Sequence, residues 1–344
     1  MTIFKKYFNR DSNMELLRIL AMFGILVVHA DYFALGAPTK ADCIVEPYSS
    51  ACRFSIESLT IVSVNLFVML SGWYGIHPKK KRFLEFLFQI FFFNILFFFA
   101  FSFFIPDKTF TPKGIGSLFM LDSRFWFVKA YLLLYIISPI LNAFTDNANK
   151  KHYTYVLMGF YIFQFLYGWL FSSVLWFKMG YSTISFVGIY LLADYFHRYD
   201  VCGGVNKKTL LSIFLLFVAV NSLMLFFSSY YFKGVLDQRL IAYNSPLVII
   251  ATVAVFLFFT KINIKRNAII NYIAASSFAA FLFHGNHFFL DEVYVFYIKK
   301  CFVDDSLVLF VSKITIFIIL IYFFAIIMDK FRIWVWERFS KKII

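Results

Sequence analysis

Read as runs of apolar and polar positions, the chain is a series of long apolar stretches divided by short polar ones. In the first half the stretches fall near residues 14 to 36, 55 to 75, 83 to 105, 127 to 144 and 153 to 170. In the second half they fall near 175 to 195, 209 to 230, 241 to 260, 268 to 290 and 305 to 328. Apolar runs of roughly 20 residues are what a helix needs to cross the hydrocarbon of a bilayer. The expected fold is therefore all-α: a polytopic integral membrane protein with about ten transmembrane helices. The sixth stretch is the least regular, because Lys178, Gly180 and Asp194 interrupt it.

The polar connections carry the orientation. Lys and Arg concentrate on the cytoplasmic side of membrane proteins. Assigned to alternating loops, they number 20 on the side that holds both termini and 10 on the other, with Arg18, Lys129 and Lys313 left inside expected helices. Both termini are thus expected in the cytoplasm, and an even number of crossings agrees with that. The first stretch is longer than the apolar region of a signal peptide and holds Arg18 and His29, so it is expected to stay in the mature protein.

Composition adds the solvent. The 344 residues are 61% apolar and 15% charged, where soluble chains have roughly half and a quarter. Fifty-one Phe and a mean hydropathy of +0.76 call for an apolar surrounding, and the Phe are expected to face lipid or fill the core. The formal charge of +14 sits in clusters between apolar runs, not on one face, which argues against nucleic acid as a partner. No polar stretch is long enough for a separate soluble domain, so residues 1–344 are expected to form one membrane domain. The four Cys show no CxxC or Cys/His ligand spacing, so no metal site is expected. Cys43 and Cys52 share one expected outer loop, where a disulfide and two free thiols are both open.

Ionisable groups in hydrocarbon cost about 2.5 to 3.5 kcal/mol at a helix centre, so each asks for a reason. Arg18 and His29 are 11 residues apart on the first expected helix, which places them on one stripe, about 16 Å apart in depth. One reading is a polar channel, with Arg18 near the cytoplasmic mouth to pair with an anion and His29 deeper as a proton-transfer group. The other is that Arg18 snorkels to headgroups and His29 is a hydrogen-bonded packing residue. His77, His152 and His197 fall in connections and read as solvated.

Four motifs in order carry a resemblance. Glu15-Leu-Leu-Arg18-Ile-Leu-Ala21 runs on to His29; Leu66-Phe-Val-Met-Leu-Ser71-Gly72-Trp73 precedes the basic cluster Lys79 to Arg82. Trp126-Phe127 is followed by Tyr131 and Pro139, and Ile273-Ala-Ala-Ser276-Ser277-Phe278 leads to His284. Together these resemble the acyltransferase-3 family of membrane-bound acyltransferases. That family has Arg, ten residues, then His on its first helix, and closes with an "SxxxYLxH" helix. The chain departs from the pattern at Lys79-Lys-Lys-Arg82, where Arg-x-x-Arg is frequent, and at Phe281, where Tyr is common. The first departure keeps charge but loses one bidentate anion fork.

The resemblance implies transfer of an acyl group, most often acetyl, from cytoplasmic acyl-CoA to a hydroxyl of a polysaccharide or glycolipid precursor at the cell membrane. It implies acyl-CoA as donor substrate, with no bound cofactor. The reading of the residues accommodates this: polyanionic coenzyme A would meet Arg18, Lys79 and Arg82, although that cluster can also serve only as a topology signal. His29 is the expected general base, with Arg18 beside it in the catalytic set. His284, expected sixteen residues into an outward-running ninth helix, either orients His29 or substrate or is structural. Arg124, Trp126 and Lys129, at the outer end of the fourth helix, are candidates to hold the acceptor, against an ordinary interfacial role for the Trp. Ser71 and Gly72 are expected to permit close helix packing. A transporter or flippase for a glycan or lipid-linked substrate is the competing class; the chain shows neither the internal repeat nor the matched broken helices that transporters often have.

Overall fold

The computed structural model describes residues 10–343; Lys5 and Lys6 of the charge count lie outside them, as do the side chains of Lys341 and Lys342. The chain is 81% helical, and no strand occurs among the described residues. Eleven main helices follow one another: α1 (Ser12–Phe33), α2 (Pro47–Tyr74), α3 (Lys80–Ser102), α4 (Trp126–Asn147), α5 (150–170) and α6 (Thr183–Tyr199). Then come α7 (Lys207–Phe232), α8 (Pro246–Thr260), α9 (Ala268–His284), α10 (His287–Asp304) and α11 (Leu307–Ile343). Among the described residues six helices are long and apolar enough to cross a bilayer, α1, α2, α3, α4 with the short helical segments that precede it from Pro112, α7 and α11, and seven if the bent pair α9 and α10 counts as one span. The protein is a polytopic, all-α membrane protein.

Polar residues between the apolar stretches start the helices. Asn149, Ser182, Asn206 and Asn267 each accept a backbone N–H from the first turn of the helix that follows. That satisfies a donor which no intrahelical carbonyl can reach. Pro246 opens α8, where its missing N–H costs nothing.

Several boundaries differ from the sequence reading: α2 begins at Pro47, eight residues before the expected 55, and α8 at Pro246, five after the expected 241. α6 begins at Thr183 and not near 175, because Lys178, Met179 and Gly180 take left-handed backbone (φ +42°, +55° and +90°) and cannot continue a helix. The ninth helix stops at His284 and the chain turns by 66° into α10, so the stretch to 290 is not one straight segment. α11 runs to Ile343, well past 328. Cys43 is buried and Cys52 exposed, and both are free thiols.

α1 runs through the middle of the bundle, packed on α2, α8 and α9. Its start is fixed by polar contacts: Ser12 Oγ donates to Asn271 Oδ1 of α9 (2.9 Å), and Asn13 Nδ2 to the Phe259 carbonyl of α8 (2.8 Å). α2 and α6 approach at Gly72, where a Cβ would stand 2.3 Å from the Tyr190 carbonyl oxygen, so only glycine fits. The broken helix α9 is tied to α11 by Ser276 Oγ donating to Asp329 (2.8 Å) and by Ser277 sharing a hydrogen bond with Tyr322 (2.7 Å).

Candidate active site

The first helix carries a histidine that its own backbone presents unusually. α1 is α-helical to Val28 and widens into a π-helical turn over His29–Phe33. Such widened turns recur at functional sites, because they re-aim a side chain without ending the helix. His29 Nδ1 meets His284 Nε2 at 2.9 Å, and His284 Nδ1 meets the Ala280 carbonyl at 2.8 Å. The two histidines are 255 residues apart and come from the π-helical turn near the end of α1 and from the last residue of α9.

The carbonyl at the end of this chain assigns the protons. A carbonyl oxygen only accepts, so His284 Nδ1 carries the hydrogen and, in a neutral ring, Nε2 is a lone pair. That lone pair in turn accepts the Nδ1–H of His29. His29 is left with an unprotonated Nε2, the form a general base requires. His284 is fully buried, and no carboxylate stands behind it; the helix backbone is what orients the pair.

His29 lines a cavity of about 420 Å³ together with Tyr32, Glu57, Arg124, Trp126, Phe127, Tyr181 and Tyr243. Trp126, Tyr181 and Tyr243 pack as a trio, with ring centroids 4.5, 4.9 and 5.6 Å apart. Tyr243 is held by its carbonyl, which accepts from Asn65 Nδ2 of α2 (2.8 Å). Arg124 forms an ion pair with Asp291 of α10 at 2.7 Å, so its charge is already matched within the protein. Lys129 lies off this wall and donates to the Asp122 carbonyl.

A second cavity, of about 600 Å³, opens at the other end of the α1 stripe and is lined by Arg10, Glu15, Arg18, Ser71, Arg82 and Tyr131, among others. Arg18 Nε lies 3.3 Å from Glu15 Oε2, and its side chain keeps about a third of its surface open. Arg82 reaches the wall of this cavity from α3, whereas Lys79, the residue before that helix, is exposed and outside the lining. Ser71 and Tyr131 share a hydrogen bond (2.9 Å) on the same wall.

The two cavities have Phe127 in common. Phe127 packs on Tyr131 of the Arg18 cavity (5.9 Å) and on Phe281 of the His29 cavity (5.1 Å). Phe278 and Phe281, one helical turn apart on α9, stack behind it. The structure thus joins His29 to His284 and Arg18 to Arg82, and separates the two groups by an aromatic wall. Reasoning from sequence missed Glu57, Tyr32, Tyr181 and Tyr243. For Glu57 the signal was present: a carboxylate two residues into an expected membrane stretch.

His77, His152 and His197 are exposed, and His197 stacks on Trp73 at 4.4 Å. His287, by contrast, stands 3.5 Å from Asp122 and 3.6 Å from Asp291. Comparison with curated proteins and with solved structures returned no match. Comparison with protein families matched residues 11–330 to the acyltransferase domain, which takes in α1 through most of α11 and both histidines. The chain belongs to the acyltransferase-3 family and is a membrane acyltransferase.

Proposed function

We propose that this acyltransferase moves an acyl group, acetyl in the first instance, from cytoplasmic acyl-CoA to a hydroxyl of a cell-surface polysaccharide or glycolipid precursor. In this reading the chain crosses the cytoplasmic membrane about ten times, the shorter helices included, with both termini inside. Acyl-CoA enters the Arg18 cavity, where Arg18 and Arg82 meet its phosphates, and the acceptor enters the His29 cavity from the outer side.

The observation that carries the reading is the hydrogen-bonded chain Ala280–His284–His29, which leaves a neutral Nε2 on the wall of a cavity. An alcohol is a weak nucleophile at neutral pH, and a positioned imidazole raises its reactivity by taking its proton in the transition state, an effect of about 10²- to 10⁴-fold. His29 Nε2 takes the hydroxyl proton as the acceptor oxygen bonds to the thioester carbonyl carbon. The tetrahedral adduct then expels the thiolate of coenzyme A, which takes the proton back from His29. The imidazolium that exists between these steps keeps its Nδ1–H bond to His284, so its orientation is unchanged throughout.

The test is transfer of labelled acetyl from acetyl-CoA to envelope glycan in membranes that contain the protein, at matched expression of wild type and His29→Ala. Label is expected in the glycan fraction with the wild type and not with the variant. If no acyl-CoA, short or long, is bound or consumed by the wild type, the reading is wrong.

A further inference from the structure

We propose that Glu57 and Tyr32 form the acceptor-recognition subsite of the His29 cavity, holding a sugar through a hydroxyl adjacent to the one that is acylated. This rests on the reading of the His29 cavity as the acceptor site. Glu57 sits near the end of the first half of α2, is 1% exposed, and lines that cavity. Its Oε2 is buried without a hydrogen-bond partner, and among the described residues it forms no ion pair. The nearby cation does not serve it: Arg53, one turn earlier on α2, is bound to Asp31 at 2.6 Å and to the Gly36 carbonyl. A buried carboxyl with an unmatched polar atom is unfavourable, charged or neutral, and folds retain one where a ligand completes it.

Tyr32 is the second observation. It comes from the π-helical turn of α1, three residues past His29, and lines the same cavity; its buried hydroxyl also lacks a partner. The two unpaired groups ask for a ligand that exchanges hydrogen bonds with a carboxyl and accepts from a phenol. A sugar hydroxyl does both, whereas an ammonium group only donates and leaves the Tyr32 hydrogen unmatched. The Trp126, Tyr181 and Tyr243 trio supplies a flat apolar wall for the C–H face of a sugar ring, and His29 stands ready for a neighbouring hydroxyl. The acceptor class that fits is a neutral sugar with adjacent hydroxyls. Arg124, the cation on this wall, is already matched by Asp291, which leaves an acidic sugar no unmatched partner there.

The experiment uses full-length protein in native membranes, with a detergent extract of the envelope of the cells that carry it as acceptor and labelled acetyl-CoA as donor. Initial rates are measured against extract and against donor for wild type, Glu57→Gln and Tyr32→Phe. Exchanging the carboxyl for an amide, which alters the donor and acceptor pattern facing the ligand hydroxyl, is expected to raise the extract needed for half-maximal rate about tenfold in Glu57→Gln. Tyr32→Phe is expected to raise it several-fold, and in both variants the half-saturating donor concentration stays within about twofold. Prior periodate treatment of the extract, which cleaves adjacent diols, is expected to abolish acceptance. Wild-type half-saturation in both variants, or equal loss toward donor and acceptor, overturns the assignment, as does an extract that survives periodate. A wild-type protein that transfers no label overturns instead the acyl-transfer reading on which the assignment rests.

Discussion

Replacing His284 with leucine removes the lone pair that accepts the Nδ1–H of His29 while filling most of the same buried space. Two consequences follow from the 2.9 Å contact. The hydrogen bond itself contributes about 0.5–1.5 kcal/mol, and it selects the tautomer that leaves Nε2 unprotonated. Without it the ring is free to place its hydrogen on Nε2, where it cannot act as base, and to rotate off the reacting oxygen. Losing the partner that orients such a histidine lowers activity about 10- to 100-fold where it has been measured at metal sites. We expect kcat for acyl transfer to fall by that amount in His284→Leu. His284→Gln, whose side-chain carbonyl can still accept from His29, is expected to recover most of the loss. His29→Ala is expected to fall further, by about 10²- to 10⁴-fold. The assay is the initial rate of labelled acetyl transfer at saturating donor, with thermal unfolding in detergent confirming that each variant is folded. A leucine variant at wild-type rate would refute the tautomer argument. So would a glutamine variant as inactive as His29→Ala, since His284 would then take part in the bond-making itself.

The remaining predictions concern the donor side, the packing and the topology. Arg18→Lys keeps the charge but loses the planar fork, and we expect the half-saturating acetyl-CoA concentration to rise about tenfold with little change toward acceptor; an unchanged donor dependence would remove Arg18 from the donor site. Gly72→Ala puts a methyl group 2.3 Å from the Tyr190 carbonyl oxygen, so α2 and α6 must separate; a loss of about 1–3 kcal/mol, read as a lower unfolding temperature in detergent, is expected. Cys52 is exposed and Cys43 buried, so a membrane-impermeant maleimide applied to intact cells is expected to label Cys52, leaving Cys43 and the inner-loop Cys202 unlabelled. Labelling of Cys202 in place of Cys52 would invert the proposed orientation.

Hydropathy made the helices legible, because burying apolar runs in lipid depends on composition along the chain and little on tertiary detail. The same property hid one of the two breaks. The left-handed run Lys178–Gly180 lies where Lys178 and Gly180 already marked the sixth stretch as irregular, whereas the turn after His284 sits in a stretch apolar enough to read as helix. His29 and His284 were visible as costly groups in hydrocarbon, and their spacing from the helix starts placed them at similar depth. Their bond was not visible, since it depends on how α1 and α9 are rotated about their own axes. Arg82 and Lys79 show the limit most plainly: three residues apart in one basic cluster, they are equivalent as topology signals, yet only Arg82 lines the cavity. The aromatic trio was invisible for a related reason. Tyr181 falls inside the expected sixth helix and Tyr243 at the edge of the eighth, where an aromatic residue reads as helix filler or as an interfacial anchor.

On the proposed assignment of donor and acceptor, the aromatic wall at Phe127 accounts for how the site would hold a thioester next to a base without losing it to water. Were the Arg18 and His29 cavities one open channel, water reaching His29 from either mouth would compete with the acceptor for the acyl carbon. Phe127, Phe278 and Phe281 instead close the apolar middle of the bundle, with Phe127 4% and Phe281 9% exposed. A narrow acyl-bearing arm can pass such a wall by small ring displacements, because it replaces one apolar contact with another; a file of water cannot, because nothing there hydrogen-bonds it. The two proposed substrates would then meet only where the wall and the histidine pair coincide. That is a reason for the family's Arg and His to stand on a single helix at the two ends of one stripe: α1 fixes the distance between the charge that would receive the donor and the base that would activate the acceptor, and α4 and α9 supply the seal between them.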